Sequence, residues 1–280
     1  MAPPLTRRET LLAGGTALAT LAGCVSSSPS ESEENATTTS PPATTTESAA
    51  SVTVNAVKVT PTIVTFNSPD STHTMGEKDE QFALIRVSAE EANAPARDDF
   101  SIGVGDSNYA SQPMDYGERY SRMSGYRTFY GEESSGYLLF VLPKPISSEE
   151  ASLQWPSGEY AFEADTVAAL SQPPTDFAVR EFSTPETVKS GTEVTLTLTV
   201  ENTGSADGTF VGALNRIGPQ VAYTPEKWVE VSIPAGESRT WTYSYRPTTG
   251  DGGEGSMTYR MPWRNGSEET TTTLESDDTE

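Results

Sequence analysis

The chain is poor in the residues from which most chemical sites are built. Its 280 residues include one cysteine, Cys24, and one histidine, His73. Structural zinc sites of the Cys/His kind draw on several such ligands, and a blue-copper site needs more than one histidine beside a free cysteine, so neither is expected. A Ser-His-Asp triad would have to use His73. That residue falls in NSPDSTHTMGEKDE, residues 67–80, which reads as a polar loop with a solvated histidine. There is no G-x-S-x-G, no S-x-x-K and no P-loop. A single cysteine leaves no disulfide within the chain. No long stretch repeats apolar residues at a helical period, and no apolar run reaches the ~20 residues of a membrane-spanning helix. Lysine is scarce as well: Lys and Arg together number 18 against 40 Asp and Glu, for a net charge of −22. A chain this acidic, without a basic patch, excludes nucleic acid as the expected partner.

The most informative stretch that is present lies at the N-terminus. Arg7 and Arg8 precede an apolar run of small residues, Leu11 to Gly23, that ends at Cys24. Thr6-Arg7-Arg8-Glu9-Thr10-Leu11-Leu12 resembles a twin-arginine export signal, and Leu21-Ala22-Gly23-Cys24 resembles a lipobox. The resemblance implies a signal peptide over 1–23 and lipid on the Cys24 sulfur. It also implies a location on the extracellular face of the cell membrane, held there by the lipid anchor. Paired with the acidic composition, it resembles secreted lipoproteins of extremely halophilic archaea. In molar salt the Debye length falls to about 3 Å, which screens the self-repulsion of so many carboxylates.

Residues 24–50 are almost all Ser, Thr, Pro, Ala and Glu after the cysteine. Such a segment cannot bury enough apolar surface to fold, and reads as a disordered linker that lifts the rest off the membrane. Asn35-Ala36-Thr37 is a glycosylation sequon, and Asn265-Gly266-Ser267 is a second.

From Ser51 onward the pattern becomes that of strands. Val52, Val54 and Ala56 alternate with polar residues, as do Phe100, Ile102 and Val104. Tyr137 to Leu142 is apolar throughout, which predicts a central strand buried on both faces. Ser-Gln-Pro-Pro-Thr-Asp at 171–176 predicts a stiff boundary. Beyond it Val194, Leu196, Leu198 and Val200 alternate with threonines. Val229, Val231 and Ile233 alternate too, and so do Trp241, Tyr243 and Tyr245, and then Met257, Tyr259, Met261 and Trp263. Short strands with regular turn signals predict an all-β fold of two tandem immunoglobulin-like sandwiches, 51–172 and 177–275.

Two resemblances refine this expectation. Phe82 to Val87, Arg97 to Ile102 and Gly136 to Pro143 are similar to immunoglobulin-like domains of microbial lipoproteins. Ser190 to Gly204, followed by Ile233-Pro234-Ala235-Gly236-Glu237-Ser238, resembles the cell-adhesion-related bacterial (CARDB) domain. That likeness implies display or partner binding and brings no catalytic residues.

Gly250-Asp251-Gly252-Gly253-Glu254-Gly255 matches G-x-G-x-x-G in letters only, because a strand follows it where dinucleotide binding needs a helix. Carboxylate pairs such as Glu90-Glu91, Asp98-Asp99 and Glu149-Glu150 are expected by chance among so many acids, and no EF-hand spacing occurs. No cofactor or metal is expected. One stretch stands out. Residues 105–136 hold Tyr109, Tyr116, Tyr120, Tyr126 and Tyr130 with Arg119, Arg122 and Arg127, set among Ser, Gly and Asn. This is the composition of recognition loops; alternatively, the tyrosines pack back onto a sandwich. The leading expectation is a non-enzymatic module for binding, adhesion or envelope assembly, with an unknown protein or glycan partner. The alternatives are an accessory subunit of a transporter or envelope complex, and a hydrolase using carboxylates.

Overall fold

The computed structural model describes residues 51–113, 128–131, 133–219, 221–247 and 255–275. The expected signal peptide with Arg7 and Arg8, the lipid-bearing Cys24, the linker with Asn35, and residues 250–254 of the glycine-rich run lie outside the described residues. The described residues fall in one compact unit. Among the described residues the fold is all-β, with a single α-helix.

The strands before the helix are β1 (Val52–Thr60), β2 (Ile63–Ser68), β3 (Ser71–Met75), β4 (Glu80–Ala89), β5 (Ser101–Val104), β6 (Ser107–Ala110), β7 (Ser135–Pro143), β8 (Ala151–Trp155) and β9 (Gly158–Ala161). Helix α1 (Ala164–Ser171) follows. Then come β10 (Phe177–Ser183), β11 (Thr187–Lys189), β12 (Val194–Asn202), β13 (Gly208–Ile217), β14 (Thr224–Ile233), β15 (Ser238–Tyr245), β16 (Gly255–Trp263) and β17 (Gly266–Glu275).

Sheet β1-β4-β7 faces sheet β6-β5-β8-β9. Ile85, Phe140, Ile102 and Leu153 meet between them in the first core, which α1 closes with Leu170. Sheet β10-β12-β15 faces sheet β11-β17-β16-β13-β14. The second core follows directly from the alternation in β12: Val194, Leu196, Leu198 and Val200 are buried, and the threonines between them are half-exposed. Phe210, Met257, Tyr259 and Leu274 complete it from the other sheet.

The polar stretch 67–80 departs from its expectation as a loop. Residues 71–75 form β3, antiparallel to β2, with His73 opposite Thr65 and half-buried. The strand is polar because its burial comes from a distant partner. The Asn215 amide, on β13, accepts from the Thr72 backbone N–H at 2.8 Å and from Thr72 Oγ1 at 2.9 Å. The same amide donates to the Thr72 carbonyl at 2.9 Å, so one side chain mimics a neighbouring strand.

The β2–β3 hairpin is a layer in its own right. Ile63 packs back on Phe82, Leu84 and Leu139 of the first sheet, while its neighbour Val64 packs forward on Val211 and Ala213 of β13. Lys58 strengthens the same seam, with its ammonium 2.8 Å from Glu230 and 4.6 Å from the Trp228 ring centroid.

Strand β7 is buried on both faces, as its composition predicts, but β4 occupies the middle of the sheet. The connector after α1 is held down. Thr175 is buried, and its carbonyl accepts from Arg264 Nη2 at 2.7 Å; Asp176 pairs with Lys78 at 2.5 Å.

Candidate binding surface

Of the segment 105–136, the described residues are 105–113, 128–131 and 133–136, which include β6 and the start of β7. Tyr109, on β6 opposite Ile102, is half-buried against the first core. Both ends of the segment are bonded to β7. The Gln112 N–H donates to the Leu139 carbonyl at 2.7 Å, and the Tyr137 N–H donates to the Thr128 carbonyl at 3.0 Å. The Tyr130 N–H returns a bond to the Tyr137 carbonyl at 3.0 Å. These bonds close what is otherwise the free edge of the sheet. They also hold Gln112 and Thr128 side by side, a couple of residues apart along one strand.

The returning end is wedged into two cores at once. Phe129 is buried with Ile63 and Leu84 on one side of the sheet. Tyr130 is buried on the other side, its ring edge-on to Phe100 with centroids 5.2 Å apart. The Tyr130 hydroxyl donates to the Pro95 carbonyl at 2.8 Å. Burial pushes its pKa above the usual phenol value, and nearby Asp99 adds to the rise. Tyr130 therefore fixes the base of the segment. Tyr116, Arg119, Tyr120, Arg122, Tyr126 and Arg127 lie outside the described residues. Beside the base runs an open groove whose walls include Glu91, Pro95, Arg97, Asp98 and Glu133. Arg97 pairs with Asp98 at 2.5 Å, so the groove presents mostly carboxylate and backbone.

The aromatic set of the second sandwich is half-buried against its core. Trp241 stacks on Tyr243 at 5.9 Å, and Tyr243 on Tyr245 at 5.5 Å. All three lie on the face of β15 that pairs with buried Leu198, Leu196 and Val194, so they plug the side of the sandwich at an edge strand. The Tyr245 and Tyr259 hydroxyls are hydrogen-bonded at 2.5 Å. Burial and this bond push Tyr245 far above the usual range, and burial raises Tyr259 to about 12. The Arg216–Glu226 ion pair, 2.6 Å and largely buried, lies close enough to act on both phenols.

Asn265 is exposed in the turn between β16 and β17. No group of three or more His, Cys, Asp or Glu is placed to hold a metal among the described residues. None of their helices is long and apolar enough to cross a membrane. Lys144 and Arg264, which no sequence motif singles out, line neighbouring spaces at the seam between the sandwiches.

No protein-family model matches the chain, and no curated protein does. Solved structures match over roughly a third of it. One is a β-glucosidase from Listeria innocua, with 12% identity and a TM-score of 0.32, covering 37% of this chain. The chain spans 16% of that enzyme. A second is an alkylpurine DNA glycosylase from Pseudomonas fluorescens, with 14% identity and a TM-score of 0.31, covering 35% of this chain and 30% of the other. A third is a CARDB domain from Pyrococcus furiosus, solved with two metal ions, with 18% identity and a TM-score of 0.30. It covers 36% of this chain and 93% of its own, so the described chain has a CARDB domain as a partial structural neighbour.

Proposed function

We propose that this chain is a lipid-anchored protein of the extracellular membrane face that binds a protein or glycan partner without catalysing a reaction. In this reading Cys24 carries the lipid and residues 25–50 form the tether. Residues 177–275 are a CARDB-like domain, and Tyr116, Arg119, Tyr120, Arg122, Tyr126 and Arg127 make the contact, with Tyr109 and Tyr130 in the supporting base. The observation that carries the reading is the base of that segment. Its two ends are bonded to one strand, and Phe129 and Tyr130 are seated in opposite cores. A rigid frame holding a Tyr-, Arg-, Ser- and Gly-rich excursion lowers the ordering cost of binding, as in paratopes.

The test replaces 114–127 by a short Gly-Ser bridge, leaving both roots in place. The intact protein and the variant are then incubated with native envelope membranes at the salt of the source. The expected result is saturable binding by the intact chain and at least a tenfold loss for the variant, with unchanged melting. Equal binding by the two would overturn the assignment of this segment.

A further inference from the structure

Lys144 is set apart from the other described cations by its surroundings. It is half-buried just past the end of β7, and Arg264 acts on it with a charge of the same sign. No carboxylate bonds to its ammonium among the described residues. Burying a charge without a partner is costly, and a second positive charge beside it adds to the cost. In a chain with 40 acidic residues, a carboxylate would be the easy remedy.

The space around these cations is specific in the same way. A cavity of about 130 Å³ lies between the sandwiches, bordered by Lys144, Gln172, Thr175 and Thr209 on an apolar floor that includes Phe177. A separate space of about 10 Å³ next to it shares Pro61, Phe177 and Thr209 and is lined by Trp263 and Arg264. Neither space has an Asp or Glu in its walls, whereas the two wide grooves on the first sandwich carry several. Thr175 Oγ1 donates to the Pro173 carbonyl at 3.5 Å and Thr209 Oγ1 bonds to Ser232 Oγ at 3.5 Å, so Lys144 and Gln172 are the lining side chains whose donors are uncommitted among the described residues. Two further donors in the smaller space, Trp263 Nε1 and Arg264 Nε, are buried without an acceptor. Asp176 and Glu77 act on Arg264 but are not in the walls of either space, and Asp176 is engaged by Lys78 at 2.5 Å.

We propose that the seam between the two sandwiches is a binding site for a small anion, inorganic or carboxylate, held by Lys144, Arg264 and the neutral donors around them. The anion supplies the missing acceptor and counter-charge, and bridges β7 of one sandwich to the β16–β17 turn of the other. It thereby stiffens the connection between them. This site is remote in chemistry from the acidic groove at 105–136 and is independent of the function proposed for that segment.

The experiment compares melting of the full chain in sodium chloride, sulfate and acetate with melting in sodium gluconate, a bulky anion, at one ionic strength. The expected result is a rise of a few degrees in at least one small anion over gluconate, as for a ligand that binds only the folded state. A preference for acetate assigns a carboxylate, and a preference for chloride or sulfate an inorganic ion. Lys144→Met should abolish the difference, and Lys144→Arg should keep it. Should Lys144→Met fail to fold, the Lys144 Nζ titration in the native protein decides: its midpoint lies higher in the preferred small anion than in gluconate. Equal melting in all salts, a difference that survives Lys144→Met, or an unmoved Nζ midpoint would each overturn the site.

Discussion

Lys144 also sets a pH dependence opposite in sign to that of a paired lysine. Burial, with Arg264 second, lowers its pKa from 10.5 to about 8. Between those values the unfolded chain holds the proton more often than the folded one. Stability therefore rises as pH climbs through that window, and the penalty is fully present below it. The buried phenols act the other way. Tyr259 is raised to about 12, and Tyr130, Tyr243 and Tyr245 are also raised, so their neutral forms favour folding until pH passes 10, the ordinary phenol value. Urea melts in gluconate should show stability increasing from about pH 8 towards pH 10 and then falling. In Lys144→Met the rise should flatten while the fall persists. A rise of equal size in the variant would remove Lys144 as its cause.

Strand β7 shows how an element is fixed from outside itself. At Gly136 an added Cβ would meet the Tyr130 backbone nitrogen at 2.5 Å and the Phe129 carbonyl carbon at 2.6 Å. Backbone held in two cores has nowhere to move. Gly136→Ala should therefore cost about 1–3 kcal/mol, as overpacking does, and lift the returning end of 105–136 off the strand. Urea denaturation measures the first effect. Faster amide exchange at Tyr130 and Tyr137, with β12 unchanged, checks the second. The strands that could be read from the sequence were those whose burial follows their own period: β12, β14, β15 and β16 alternate because one face meets a core. Strand β3 could not be read this way, because its partner Asn215 is 143 positions away and its residues are polar on both faces. Helix α1 spans eight residues, too short for its period to emerge. The candidate surface was visible only as composition. That Tyr130 belongs to the base follows from packing, which a count of tyrosines does not encode.

At the scale of the molecule, the layers share their contents. The hairpin β2–β3 sends alternate residues into two different clusters, and Asn215 ties it to β13 through three buried bonds to Thr72. Asn215→Ala would leave the amide and carbonyl of Thr72 buried without partners, a loss of about 3 kcal/mol. Differential scanning calorimetry should give one cooperative transition for the native protein and a lower transition that separates into two for Asn215→Ala. Two independent transitions in the native protein would show that the seam does not couple the sandwiches.

The outer face of β13 has a further consequence. Sandwich domains spread between genes when each carries a surface that water accepts on every side. Here Val211 and Ala213 are buried on the side of their sheet away from the second core, beneath Val64 from the first half of the chain. Recombined into another protein, the second sandwich would bring a bare apolar strip with it, and the hairpin left behind would be uncovered in turn. Separating the two halves would therefore leave an apolar strip exposed on each.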